Sequence, residues 1–117
     1  MKKLSGEQLC EVLKKHRMWL AGEEEGEKAY LRGADLRGAN LRGANLDYSC
    51  WPLWCGSLDV KVDRRIAAQL CYHFCRLYCD DPEYLVARNA VIDFANTFHR
   101  VEECGRLETA GGGENEK

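Results

Sequence analysis

The sequence predicts an α+β chain in which about one turn of a repeat coil sits between helical segments, and three observations carry that prediction. From Ala29 to Tyr48 it reads Ala-Tyr-Leu-Arg-Gly, Ala-Asp-Leu-Arg-Gly, Ala-Asn-Leu-Arg-Gly, Ala-Asn-Leu-Asp-Tyr, four units of five residues without a break. Before that run, Leu9, Val12, Leu13, His16 and Leu20 recur at helical spacing, and after it two further stretches do the same. Within the run a small and a large apolar residue recur two positions apart, the pattern of one narrow core, and the glycines suit corners where a Cβ would clash.

A(D/N)LXX is the signature of the pentapeptide-repeat family, which these twenty residues resemble closely. The resemblance implies a right-handed quadrilateral β-helix, each unit forming one side and four units one coil. Leu31, Leu36, Leu41 and Leu46 then point inward, with Ala29, Ala34, Ala39 and Ala44 beside them. Arg32, Arg37 and Arg42 follow successive central leucines, so they face three directions and form a belt instead of a stripe. About one coil cannot bury its apolar ends alone, and the flanking segments are expected to cap it.

Ser5-Gly6-Glu7-Gln8 has the form of a capping box, with Leu4 and Leu9 as a hydrophobic staple, and Gly22 is a suitable C-terminal stop. A capping helix is therefore expected over 5–21, covering the N-terminal end of a coil that spans 29–53. The run Glu23-Glu24-Glu25-Gly26-Glu27 looks like a solvated connector. After Tyr48 the repeat decays: Trp51 keeps the central phase and Pro52 interrupts it, leaving Trp51-Pro52-Leu53-Trp54-Cys55-Gly56 as an aromatic plug on the coil's end. Leu58 to Val62 alternates like a short strand, and Asp63 can cap the next helix.

Residues 63–104 are expected to form a helical hairpin. Its first helix runs from about Arg64 to Tyr78 with Ile66, Ala67, Leu70, Phe74 and Leu77 buried. Asp80-Asp81-Pro82 stops it and starts the second, which continues to about Glu103 and buries Leu85, Val91, Ile92, Phe94, Ala95, Phe98 and Val101. Residues 1–105 thus form one domain, and 106–117, with Gly111-Gly112-Gly113, have too little to bury and are expected to be disordered.

Length and charge narrow the functional classes. At 117 residues the chain holds one modest core, and a net charge of −2 lacks the basic excess of a binder of long nucleic acid. No signal peptide or bilayer-spanning segment is visible, so the expected location is the cytoplasm, here that of a bacterial host. Seven cysteines form an odd set without export signals, and reduced thiols follow. Cys71, Cys75 and Cys79 lie along one helix side, but no Cys-x-x-Cys knuckle exists, so no metal and no cofactor are expected. His16, His73 and His99 fall in helices outside any catalytic motif, and His16 reads as a satisfied core histidine.

The remaining chemistry is recognition. Arg32, Arg37 and Arg42 are planar forks suited to phosphate, and Arg64 and Arg65 stand at a helix start that also favours anions. Tyr48, Trp51 and Trp54 can stack on a base, although a plug needs the same residues. From its first helix through Tyr48–Cys55 to its helical end, the chain resembles small phage or prophage members of the family. That resemblance implies a non-enzymatic counter-defence factor; the arginines and aromatics, with the uncovered edges of so short a coil, lead to the expectation that as a homo-oligomer it sequesters a nucleotide-like anionic signal. The alternatives are an inhibitor of a host defence or DNA-processing enzyme, acting by protein binding, and an assembly module without ligand.

Overall fold

In a computed structural model, which describes residues 2–110, the chain divides into two units at Asp63, Met1–Asp63 and Arg64–Lys117, where the sequence predicts one domain over 1–105. The first unit opens with β1 (Lys2–Lys3) and α1 (Gly6–Leu20). Ser5 caps α1 through its side chain, which accepts from the Gln8 N–H, while the Gln8 side chain accepts from the Ser5 N–H. The helix ends in a Schellman turn: Gly22 has φ 78°, Glu23 N–H donates to the Met18 carbonyl and Gly22 N–H to that of Trp19.

The repeat then builds itself from one device used four times. In each unit the N–H of the residue three after the central leucine donates to that leucine's carbonyl: Ala34 to Leu31, Ala39 to Leu36, Ala44 to Leu41 and Ser49 to Leu46. The third residue of each turn has φ > 0, namely Gly33, Gly38, Gly43 and finally Tyr48 at 68°, as a type II turn requires. The Asp or Asn before each leucine closes the turn from its other side. Asp35 accepts from the Arg37 N–H, Asn40 from that of Arg42 and Asn45 from that of Asp47, so a short side-chain carbonyl at this position mimics a backbone turn. The four leucines are buried, Leu31 and Leu41 completely.

Successive courses meet in parallel about twenty residues apart. Tyr30 bridges Cys50 and Asn40 bridges Lys61, while Leu36 N–H donates to the Gly56 carbonyl and Leu41 N–H to that of Lys61. On the other side β2 (Ala34–Asp35) pairs in parallel with β1, Lys2 against Ala34. Extended ladder is sparse: β1 with β2 is the only two-stranded sheet among the described residues, and the strand expected at Leu58–Val62 is a single bridge at Lys61. The coil also does not stop near residue 53. A 3₁₀ turn, Cys55–Ser57, continues the course beyond Pro52, because backbone hydrogen bonds to the repeat ask nothing of the consensus residues. Asp63 Oδ2 accepts from the Gly43 N–H, which ties the end of this course to a repeat corner.

The second unit comprises α2 (Arg64–Cys75), α3 (Pro82–Ala95) and α4 (Val101–Cys104), with α2 packed on α3. Helix α2 ends three residues before the expected Tyr78 because its last carbonyls find other donors. Arg76 N–H serves Tyr72 and His73, the Tyr84 hydroxyl serves Phe74, and Arg88 Nε serves Cys75. Asp81 caps α3 with Pro82 in its first turn. The expected single helix to Glu103 breaks at Asn96, whose side chain is engaged by Leu107, and resumes only as α4.

The core of this unit is Tyr72, Cys75, Ala95, Phe98 and Val101. Helix α2 therefore buries Ile66, Ala68, Tyr72 and Cys75, while Leu70, Phe74 and Leu77, expected inside, are exposed. Tyr72 can lie in the core because its hydroxyl donates to the Gly105 carbonyl at 2.6 Å. Residues 106–110, expected to begin a disordered tail, instead run along α3 on hydrogen bonds from Asn89 and Asn96; 111–117 lie outside the described residues.

Candidate functional site

The three belt arginines share one position in the repeat yet differ in what they meet. The Arg37 guanidinium donates to both carboxylate oxygens of Asp35, Nε at 2.9 Å and Nη2 at 2.7 Å. That hydrogen-bonded carboxylate, with its charge, raises the Arg37 pKa. The cause lies two residues earlier in each unit, where Tyr30, Asp35 and Asn40 stand, and only Asp35 carries a charge. Arg32 and Arg42 are exposed, and their guanidinium groups meet no acid among the described residues. Two arginines of the belt are thus available to an anion and the third is held.

Of the aromatic residues expected at the site, Trp54 is taken up by the coil itself. Its indole N–H donates to the Ala34 carbonyl at 3.0 Å, and Arg37 lies over its ring. Gly56 runs so close beneath that an added Cβ would fall 2.3 Å from the ring and 2.5 Å from the Ala34 carbonyl. Trp51 is half-buried beside buried Pro52, as a plug requires. Tyr48 is different: it is 61 % exposed and occupies a left-handed corner that its three sister units fill with glycine. A side chain in that conformation costs about 1–2 kcal/mol.

What holds the Tyr48 ring is a cluster that sequence reading did not assemble. Trp19 meets it edge to face at 6.2 Å, the Lys28 ammonium lies 5.6 Å over the Trp19 ring, and His16 stacks on Trp19 at 5.7 Å. His16 is fully buried, and both of its nitrogens are used: Ala29 N–H donates to Nδ1 at 3.0 Å, and Nε2 donates to the Asp47 carbonyl at 2.8 Å. One side chain of α1 therefore fixes the first and the last unit of the repeat, as the prediction of a satisfied core histidine requires. The signal for the cluster was the placing of His16, Trp19 and Lys28 before the repeat, but helical spacing alone does not say which corner they reach.

Arg64 and Arg65 belong to the second unit, where α2 begins at Arg64. Arg64 lies 5.1 Å over the Phe94 ring, and Arg65 is exposed. An open hollow of about 350 Å³ on α3, lined by Pro82, Glu83, Val86 and Ala87, contains none of the predicted site residues. Among the described residues no group of three or more His, Cys, Asp or Glu side chains could hold a metal ion. No helix among them is long and apolar enough to cross a membrane.

Comparison with known proteins agrees with the geometry of the first unit. The family model described as pentapeptide repeats (8 copies) matches residues 27–50, the stretch that carries the four turns. Neither the curated proteins nor the solved structures give a match to the chain. Pentapeptide repeats imply a β-helix-like fold, in keeping with the twenty-residue pairing, and proteins built on them are generally structural or interaction proteins, not enzymes. On its turns, its buried leucine column and this match, the segment 27–50 belongs to the pentapeptide-repeat family.

Proposed function

We propose that this chain is a non-enzymatic binding protein of phage or prophage type, a counter-defence factor that as a homo-oligomer sequesters a nucleotide-like anionic signal in the cytoplasm of a bacterial host. Its repeat is about one coil of a right-handed quadrilateral β-helix, with α1 covering one end, and a helical hairpin follows as a unit of its own. The observation that carries the reading is that Arg32 and Arg42 are exposed and meet no acid among the described residues, although both belong to a structure that pairs their sister Arg37. A guanidinium fork with all its donors available is suited to bidentate phosphate binding. Tyr48 adds an exposed ring at a strained corner where the three sister units carry glycine. In a quadrilateral coil Arg32 and Arg42 stand on opposite sides, so a second subunit is needed to bring arginines together, and oligomerisation becomes a condition of binding.

The alternative, an inhibitor acting by protein binding, is favoured by one feature, the exposed Leu53 and Leu58 on the last course of the coil. Isothermal titration with a panel of nucleotides separates the two readings. Under sequestration, Arg32→Ala with Arg42→Ala lowers nucleotide affinity at least tenfold. Equal affinity in that variant removes the sequestration reading and leaves the protein partner.

A further inference from the structure

The end of the described chain lies on α3 in a manner that reads backbone only. Asn96 Nδ2 donates to the Leu107 carbonyl at 2.9 Å, and its Oδ1 accepts from the Leu107 N–H at 2.8 Å. Asn89 repeats the arrangement with Ala110, at 2.9 and 3.0 Å. Between them Arg88 Nη1 donates to the Glu108 carbonyl at 3.0 Å. Each asparagine thus satisfies both backbone groups of one residue of the strap. Leu107 alone adds a side chain, packed against the Tyr72, Cys75, Ala95, Phe98 and Val101 core.

The spacing is that of a ladder. Residues 89 and 96 are seven apart on a helix, about 10.5 Å along its axis. Residues 107 and 110 are three apart and both turn N–H and carbonyl to α3, as the three-residue turn of a polyproline-II segment does over about 9 Å. A helix face with asparagines at this interval is commensurate with any extended peptide, whatever its side chains, provided an apolar residue stands at the Leu107 position. The strap is joined to the rest of the unit at Gly105, which has φ 114°, a conformation side chains rarely adopt. Gly105 itself is pinned, its N–H on the Val101 carbonyl and its carbonyl on the Tyr72 hydroxyl, so the strap leaves the unit from a fixed point.

We propose that the Arg88, Asn89 and Asn96 face of α3 is a peptide-binding site that reads an extended backbone, and that a second copy of this chain supplies its own segment 107–110 to it. In the single chain the site is filled in cis. Exchange of straps between two chains conserves every hydrogen bond and joins the copies, as swapped elements do. This linkage uses none of the arginines on which nucleotide binding rests, so either idea can fail without the other.

Two full-length chains with complementary lesions test it. The donor carries Asn89→Ala and Asn96→Ala and keeps an intact strap. The acceptor carries Leu107→Pro and Ala110→Pro, which remove the two N–H groups the asparagines read and leave α3 untouched. Circular dichroism first establishes that each chain is folded; if the donor is not, Asn89→Ala alone replaces it. Native mass spectrometry of the mixture is expected to show a 1:1 heterodimer at least five times more abundant than either homodimer. It should vanish when the donor also carries the two prolines. No excess of heterodimer, or an excess that survives those prolines, overturns the proposal.

Discussion

Asp35 holds Arg37 through both carboxylate oxygens, two residues away in the same turn, while the same oxygen that meets Arg37 Nε also accepts the Arg37 backbone N–H. One side chain thus shapes the corner and engages the cation that the corner projects. Asparagine at the equivalent position, Asn40, shapes its corner equally well without engaging Arg42 electrostatically.

The first prediction separates these two roles. Asp35→Asn keeps the turn, since Asn40 shows the amide can make it, and releases Arg37 from its partner. Asp35 is buried, but the Arg37 side chain is half-exposed and solvent screens the pair, so the melting temperature should fall by no more than a few degrees. The affinity for an anionic nucleotide should rise severalfold, measured by titration calorimetry. An unchanged affinity would mean that Arg37 faces away from the ligand.

His16 is the stability test of the first unit. His16→Phe keeps an aromatic ring but removes the acceptor of the buried Ala29 N–H and one hydrogen bond to the Asp47 carbonyl. An unsatisfied buried group costs about 1–3 kcal/mol, so urea denaturation should show a loss of about 1–3 kcal/mol from the Ala29 N–H, with a smaller addition from the half-buried Asp47 bond. A loss below about 1 kcal/mol would mean that water replaces the imidazole.

Three glycine exchanges sort backbone strain from crowding. At Gly38 there is open space but φ is 77°, so Gly38→Ala should cost about 1–2 kcal/mol. At Gly26 an added Cβ would fall 2.2 Å from the Trp19 nitrogen, and Gly26→Ala should cost more, about 3 kcal/mol. Tyr48→Gly relieves a strained corner and loses a ring contact with Trp19, effects of about 1–2 and 0.5–1.5 kcal/mol that nearly cancel. Its melting temperature should stay within a few degrees of wild type while nucleotide affinity falls. Differential scanning calorimetry with the same titration reads both.

The thiols give a pH-dependent prediction for the second unit. Burial pushes the Cys71 thiol up, with further rises from the charge and hydrogen bond of Cys75. A raised folded value means that the folded state holds its proton longer. The stabilisation is complete below the ordinary thiol range and is lost as pH rises through the folded value. Stability of the unit should therefore decline above about pH 9. Alkylation mapped by peptide mass spectrometry should label exposed Cys10, Cys55, Cys79 and Cys104 first at neutral pH, half-buried Cys50 and Cys71 more slowly, and buried Cys75 last. Equal labelling rates would contradict the burial.

The legible parts of the fold are those where side chain and backbone demand the same residue. Leu31, Leu36, Leu41 and Leu46 are spaced by the coil itself, Gly33, Gly38 and Gly43 stand where φ must be positive, and Ser5 and Gln8 form the cap their spacing predicts. What stayed hidden is carried by backbone or by distance in sequence. The course through Gly56 and Lys61 is held by main-chain pairs, by the Trp54 indole on the Ala34 carbonyl and by Asp63 on the Gly43 N–H, none of which follows the repeat consensus. Helix α2 offers two apolar faces, and its larger residues Leu70 and Phe74 concealed that Tyr72 and Cys75 pack in one core with Ala95 of α3. Among the candidate residues, Arg37 and Trp54 could be set apart only once Asp35 and Ala34 were seen against them. Gly26, placed in an acidic connector by its neighbours, packs on the end of α1 for a reason only geometry supplies.

The central claim is that two exposed arginines of a short repeat coil hold an anionic small molecule when copies of the chain assemble. Native mass spectrometry of protein purified gently from cells tests it most directly, since one spectrum reports both subunit number and retained mass. The account predicts an oligomer with added mass of nucleotide size, released on denaturation and missing when Arg32 and Arg42 are both alanine. A bare monomer, or an oligomer whose added mass persists in that variant, would contradict it.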